Sequence, residues 1–316
     1  MTIDKTLMRG INALKEKRLQ EAEQIFKIFL QTQPMNPEAN HFLGITFQLL
    51  NKIDAALASY KKTIKIKPNF IEAHKHLADI LYRLGKIVDA EICYNKVLEL
   101  KPNFAEAITI LNIISEQKKV LSKINLTKIS KKKNKQASGI RLISNPFVAT
   151  RKVETELITS LYQMKSMKLD QTKDIRYGNG KCSPDLRLFK SNLSIIKYLE
   201  KDLIGTMKQS VESDIYVVES FFNILSAGSG TTPHRHLDPF DKAYKISDQK
   251  YSLVYYLSTG DQNCSEPGIL KLYDPDKEIL PSEGSIVIIP ASRRHSAVYN
   301  GKIDRVMIGV NFYSLT

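Results

Sequence analysis

The sequence predicts a two-domain chain: an all-α solenoid of repeated helical pairs, then an α+β domain built on an antiparallel double-sheet jelly roll. Two observations predict it. Between residues 3 and 104, small, aromatic and proline residues recur every 34 positions. From Ile215 onward, helical spacing gives way to short β-rich runs separated by turn residues. A lysine-rich stretch between the two regions marks the boundary.

The repeat rests on several residue series sharing one interval. Pro34, Pro68 and Pro102 are evenly spaced, and so are Ala22, Ala56 and Ala90, then Phe26, Tyr60 and Tyr94, then Gly10, Gly44 and Ala78. Glu38-Ala39, Glu72-Ala73 and Glu106-Ala107 follow the same period. Small residues let two antiparallel helices approach closely, and the aromatic four positions beyond each alanine fills space toward the next pair. The proline stops the second helix because it lacks a backbone donor and clashes with the preceding turn. This pattern resembles the tetratricopeptide repeat. The resemblance implies about three repeats over residues 3–104 and a closing helix from Ala105 to about Val120 that covers the last apolar face, giving a repeat domain of residues 1–120. It also implies a groove for a protein or peptide partner. Lys75 and Arg83 are candidates to line its concave face and grip an acidic peptide. His41 is a lone helical histidine, and His74 and His76 stand two apart on a helix, pointing in different directions; all three read as structural.

Composition narrows the class. The chain has 316 residues, 42% apolar and 25% charged, as expected for globular domains. No run of 18 apolar residues occurs, so no membrane span is expected, and the N-terminus lacks the apolar core of a signal peptide. Cys93, Cys182 and Cys264 are odd in number and far apart, forming no disulfide framework, which suits a reducing, cytoplasmic setting. The net charge of +14 raises nucleic acid as a partner, but the lysines are dispersed and no zinc-finger spacing or base-stacking aromatic pattern accompanies them. A solvated basic surface is the simpler reading.

From Ser122 to Gly139 the chain collects lysine, serine and asparagine, so residues 121–140 read as a basic linker and 141–316 as the second domain, with its β core at about 215–316. Helical spacing is expected over Val153–Met167 and Ser194–Val211. Between them, Arg176 to Gly180 reads as a turn and not a phosphate loop, because Ser183-Pro184 follows in place of a helix.

The chemistry-bearing residues lie in the β region. His236 and Asp238 are two apart, so on an extended strand both side chains share a face. His295 follows just past the apolar run SIVIIPA. Two histidines and a carboxylate form the facial triad of non-haem Fe(II) oxygenases, with three positions left open. Arg305 lies ten residues beyond His295; a hairpin at Asn300-Gly301 would set it beside the metal ligand, where its guanidinium can take the far carboxylate of a chelating 2-oxo acid. Alternation places Arg305, Met307, Gly309 and Asn311 on one face. A second register is open. His234-Arg235-His236 also fits, with His234 as the ligand in place of Asp238; the first register is favoured because a carboxylate is the usual third ligand.

GSGTTPHRHLDPF, YSLVYYL, PGILKLY and ASRRHSAVYNGKIDRVMIGVNFYSL together resemble the double-stranded β-helix core of 2-oxoglutarate/Fe(II) oxygenases, especially the prolyl-hydroxylase branch. The resemblance implies that His236, Asp238 and His295 bind iron, that Arg305 binds the 5-carboxylate of 2-oxoglutarate, and that Tyr256 adds a hydrogen bond to it. The extra His234 resembles the HxH variant of some bacterial and phage relatives. Pro267-Gly268 replaces a frequent Gly-Gly, and no tyrosine stands just before Gly228. The implied activity is a dioxygenase that hydroxylates a protein or peptide recruited by the repeats, using Fe(II), 2-oxoglutarate and O2, with ascorbate as an optional reductant. The competing expectations are a non-catalytic repeat scaffold with a degenerate metal-binding barrel, and a small-molecule hydroxylase.

Overall fold

The computed structural model describes residues 5–133, 145–171 and 176–315. The chain divides into two compact units, Met1–Gln117 and Lys118–Thr316. Seven helices open it: α1 (Lys5–Lys15), α2 (Leu19–Thr32), α3 (Pro37–Leu49), α4 (Ile53–Ile66), α5 (Ile71–Arg83), α6 (Ile87–Leu100) and α7 (Ala105–Lys133). They form a solenoid whose geometry keeps the sequence period: α2, α4 and α6 begin 34 residues apart, as do α3, α5 and α7. The prolines act one residue upstream of themselves. Gln33, Lys67 and Lys101, each preceding a proline, leave the helical region at φ −130°, −134° and −146° and end α2, α4 and α6. Asn36 then caps α3, accepting from the Ala39 N–H at 2.8 Å.

The aromatic series fills the core. Phe26, Tyr60 and Tyr94 are buried. Tyr60 lies so close to Gly44 that a β-carbon there would fall 2.6 Å from its ring, so the missing side chain sets the approach of α3 and α4. The Tyr60 hydroxyl donates to Gln48 at 2.9 Å, and one repeat later Tyr94 donates to Asp79 at 2.7 Å. His41 is buried among Phe42, Tyr60, Phe70 and the His76 ring, while His74 faces the Pro68 carbonyl at 2.8 Å. The expected peptide-gripping Lys75 is instead engaged by acids of the repeats themselves, Asp79 at 2.9 Å and Glu106 at 3.1 Å. Arg83 is exposed at the end of α5.

Helix α7 departs from expectation by running past Val120 to Lys133. Nothing from Ser122 to Lys133 breaks a helix, since neither glycine nor proline occurs there, and Val120 and Ile124 are both buried. Residues 134–140 of the expected linker lie outside the described residues.

The second unit contains β1 (Phe147–Thr150), α8 (Thr155–Gln163), β2 (Met167–Lys168), β3 (Arg176–Tyr177), β4 (Gly180–Cys182) and α9 (Ser194–Val211). The β-rich part follows: β5 (Ile215–Leu225), β6 (Ser229–His234), α10 (Pro239–Ala243), β7 (Lys250–Ser258), β8 (Leu270–Leu272), β9 (Lys277–Ile279), β10 (Ser285–Pro290), β11 (His295–Tyr299) and β12 (Arg305–Ser314). One sheet runs β1-β10-β7-β12-β5-β4-β2 and the other β3-β6-β11-β8-β9, with every strand pair antiparallel. The larger sheet is apolar on both faces. Ile308 and Val310 of β12 pack with Leu157 and Leu161 of α8 and Leu199 and Leu203 of α9. Tyr256, Val287, Ile289 and Met307, on the opposite face, pack with Leu270 and Leu272 of the smaller sheet. The two sheets are separate and do not close into one barrel.

The expected hairpin is not formed. β11 and β12 belong to different sheets, so Asn300–Asp304 carries the chain from one layer to the other. The Tyr299 hydroxyl fastens this crossing, donating to the Ile303 carbonyl and accepting from the Asp261 N–H.

Burial pushes the pKa of His41 down from 6.5 to about 4, with the neighbouring His76 adding to the effect. The unfolded chain therefore binds more protons between those values, and this histidine's contribution to stability is complete above pH 6.5 and lost as the pH falls toward 4. In thermal melts of the full chain, the helical transition is expected to fall by several degrees between about pH 7.5 and about pH 5. His41→Phe should shrink that drop; an unchanged drop would show that His41 is not the group responsible.

Candidate metal centre

Strands from both sheets line a half-open cavity of about 220 Å³. The larger sheet contributes Glu219, Phe221, Asn223 and Leu225 of β5, Ser252, Val254 and Tyr256 of β7, and Met307, Gly309 and Asn311 of β12. The smaller sheet contributes Arg176 of β3, Thr231 and His234 of β6, Leu270 of β8, and His295 and Ala297 of β11, and His236 projects in just beyond β6. Of the inward face expected from alternation along β12, Met307, Gly309 and Asn311 line the cavity, whereas Arg305 is not among the lining residues.

Local structure brings three histidines to one point. His234 and His295 are direct cross-strand partners on β6 and β11. His236 is held two residues on, because its N–H donates to the Ala291 carbonyl at 2.9 Å and the Arg235 guanidinium binds the Ser292 carbonyl at 2.7 Å. The ring centroids lie 4.3 Å apart for His234 and His295, 5.0 Å for His236 and His295, and 4.9 Å for His234 and His236. One nitrogen from each ring falls within 4.8 Å of the others.

The outer nitrogens settle which atoms face inward. His234 Nδ1 lies 2.7 Å from the Thr232 carbonyl and His295 Nδ1 lies 3.1 Å from the Arg293 carbonyl. Each bond fixes a proton on Nδ1 and leaves the Nε2 lone pair for a metal. His236 Nε2 and His295 Nε2 are 3.2 Å apart. Two metal–nitrogen bonds of about 2.1 Å meeting at about 100° require roughly this separation. Burial lowers the pKa of His295 to about 4 and that of His236 well below the ordinary histidine value, with neighbouring imidazoles adding to both. Neutral imidazoles are the form that binds a metal. The donor set thus fits a divalent transition ion; imidazole suits iron, zinc, copper and nickel.

Asp238, expected as the third ligand, stands outside this group. Strand β6 ends at His234, and Asp238 is the N-cap of α10, with Pro239 in its first turn. Its carboxylate accepts from the Asp241 N–H at 3.1 Å and pairs with Lys250 Nζ at 2.9 Å. The shared face expected for His236 and Asp238 is lost because the chain turns into a helix between them. The structure assembles the alternative register, His234 with His236 and His295.

Arg305 sits at the inward position before Met307, wholly buried. Its guanidinium donates to the Gly268 and Pro267 carbonyls and lies 5.3 Å from the Tyr256 ring centre and 5.2 Å from that of Tyr299. Burial lowers its pKa, and no carboxylate pairs with it among the described residues. Nε is buried without a partner. Gly268, at φ +78°, makes room, since a β-carbon there would overlap the guanidinium. Tyr256 lines the cavity beside it, and burial pushes its pKa up to about 12, so it stays a hydroxyl donor.

Three neighbours of the site were not singled out in the sequence. Lys250 is buried against Asp238 and Asp241. Glu219 accepts from Asn311 Nδ2, which lies 3.4 Å from His236 Nδ1. Arg176 donates to Asn223 across the cavity at 3.0 Å. A legible signal existed for the first: Asp-Pro-Phe-Asp has the spacing of a reciprocal helix cap, which commits Asp238 to the backbone.

Comparison with known proteins concerns the repeats. Residues 47–85 match the family model described as TPR repeat and residues 71–104 the one described as Tetratricopeptide repeat, so the N-terminal segment carries tetratricopeptide repeats. The TPR domain of P58(IPK) is 26% identical, with 40% of this chain and 36% of that one covered and a TM-score of 0.38. The first TPR of Spaghetti (RPAP3), bound to an HSP90 peptide, is 23% identical over 35% of this chain and 88% of its own, with a TM-score of 0.34. The chaperone SycD of Yersinia enterocolitica, in complex with a peptide of the translocator YopD, is 19% identical over 36% of this chain and 92% of its own, also at 0.34. No curated protein matches the chain significantly. Neither family match extends past residue 104.

His236→Ala or His295→Ala is expected to weaken Zn(II) or Co(II) binding by at least about 100-fold in calorimetry, since each removes one of three donors. Full affinity in both variants would remove the histidines as the ligand set.

Proposed function

We propose that the C-terminal domain is an Fe(II)- and 2-oxoglutarate-dependent dioxygenase, a hydroxylase acting on a protein or peptide that the tetratricopeptide repeats recruit. The observation that carries the reading is the convergence of one imidazole nitrogen from each of three histidines on one point at the wall of a cavity between the sheets. The buried, carboxylate-free Arg305 supports the cosubstrate. Burying an uncompensated guanidinium costs several kcal/mol, of which the flanking tyrosine rings offset about 1–2. An incoming carboxylate supplies the missing counter-charge and two parallel acceptors.

On this reading His234, His236 and His295 hold the ion on one side, leaving the cavity side for ligands. Arg305 takes the far carboxylate of the oxo acid, and Tyr256 orients it with its hydroxyl. Phe221, Val254, Leu270 and Met307 exclude water. A bound ferrous ion supplies the dioxygen chemistry, coupling decarboxylation of the oxo acid to hydroxylation of the substrate. The cavity volume is below the roughly 300–1,000 Å³ of sites for drug-sized ligands, which favours a cosubstrate plus one inserted side chain over a bulky small molecule. The repeats are a protein-interaction scaffold, and a peptide partner is their natural cargo.

Anaerobic calorimetry of Fe(II)-loaded protein should show 2-oxoglutarate binding that weakens at least about tenfold in Arg305→Ala and in Gly268→Ala, whose new methyl group displaces the guanidinium. Aerobic turnover should then yield succinate. Absence of binding by folded, metal-loaded wild type would leave the repeat scaffold as the better account.

A further inference from the structure

We propose that Lys250 selects the metal ligands of this site: by holding Asp238 at the start of α10 it keeps the carboxylate off the ion and leaves that position to His234. The inference rests on the metal-centre reading above and concerns the ligand set, not the reaction.

Lys250 is the first residue of β7, with a side chain only 7% exposed. Its ammonium group lies 2.9 Å from Asp238 Oδ2 and 2.9 Å from Asp241 Oδ2. Asp241 is wholly buried; its second oxygen accepts from the Tyr313 hydroxyl, and the Lys250 ammonium stands 5.3 Å from the Tyr313 ring centre. Burial opposes the lysine's charge, yet the two carboxylates outweigh it and raise its pKa above the ordinary value. A cation so placed is fixed.

Both oxygens of Asp238 are consequently engaged, one by Lys250 and the other by the Asp241 N–H. Turning either toward the histidines would break an ion pair inside the domain or strip the cap from α10. Lys250 would then face Asp241 alone, with one of its two ion pairs lost. His234 Nδ1 is already tied to the Thr232 carbonyl, and the His234 ring is already directed at His295. Two residues apart, His236 and Asp238 are well placed for a shared ion by sequence; Lys250 is what separates them.

The test is a cycle of metal affinities, measured by calorimetry with Co(II) and checked by the visible spectrum of the bound ion, which reports its ligands independently of turnover. In the wild-type background, Asp238→Asn, which can still cap α10, should change affinity by less than about threefold, whereas His234→Ala should lower it at least about tenfold. Lys250→Met alone leaves two carboxylates facing each other and can fail to fold, so the releasing variant is Lys250→Met/Asp241→Asn, with Asp241→Asn as control. In that background the loss caused by His234→Ala should shrink to less than half its logarithm, and Asp238→Asn should now cost about tenfold. The spectrum of the releasing variant should differ from wild type, and that of Asp241→Asn should not. Equal costs of Asp238→Asn and His234→Ala in the wild-type background, or an unchanged pattern after release, overturns the role of Lys250 while leaving the metal centre intact. No Co(II) binding by folded wild type overturns both.

Discussion

A buried charge has to be answered within a few ångströms, and the C-terminal domain holds two such charges. Lys250 is answered from inside the protein, by Asp238, Asp241 and the ring of Tyr313. Arg305 is answered by carbonyl oxygens and aromatic faces alone. Lone-pair and ring contacts soften an isolated guanidinium without neutralising it. The first arrangement is closed and structural. The second is open, and it is the one to which the proposed cosubstrate contact is assigned. Both cations begin long central strands of the larger sheet, β7 and β12, which pair with each other, so one antiparallel ladder carries both.

The N-terminal domain solves a different problem with less chemistry. Each aromatic ring of the repeat needs a helix to pass close by, and the residue it meets is small: Gly10 against Phe26 and Gly44 against Tyr60. The hydroxyls of Tyr60 and Tyr94 then reach polar partners at the edge of the core, Gln48 and Asp79. Lys75, which a reading of charge alone makes available to a ligand, closes this network with Asp79 and Glu106. A lysine on a repeat helix is as useful for fastening neighbouring helices as for capturing a peptide.

These two domains were not equally legible. The repeat was readable to the residue because its period is set by local sterics, and the helix ends fall where each proline restricts the residue before it. The end of α7 was misread because lysine and serine were taken as linker composition, although nothing in Ser122–Lys133 interrupts a helix. In the second domain, inward positions on β12 followed from alternation, whereas the pairing of β11 did not. Asn-Gly after a strand suggests a hairpin, but here the turn carries the chain between sheets, and the decisive contacts come from Tyr299 to Ile303 and Asp261. His236 and His295 were found by spacing, and His234 stood as the alternative. That His234 and not Asp238 joins them in one cluster was not legible locally: the Asp238 carboxylate pairs with Lys250, twelve residues beyond it, although the capping signal at Asp-Pro-Phe-Asp already tied Asp238 to the backbone.

The consequence for the site is electrostatic. Three neutral imidazoles would leave the charge of a bound divalent ion to be balanced by Glu219 in the cavity lining and by what enters, whereas a carboxylate ligand would remove one unit in advance. Asp238 does not serve that purpose here, since its charge is spent on Lys250. Arg305 adds a further positive charge at the neighbouring inward position. On the proposed reading, the two features suit a ligand with two negative groups, one toward the histidines and one toward the guanidinium. A dicarboxylate that also carries a chelating oxo group meets those conditions, and a monoanion leaves one of the two charges unanswered. On the proposed reading, with Asp238 tied to Lys250, Glu219 is a carboxylate of the protein that lines the cavity, and an anionic cosubstrate would share with it the balancing of the ion's charge.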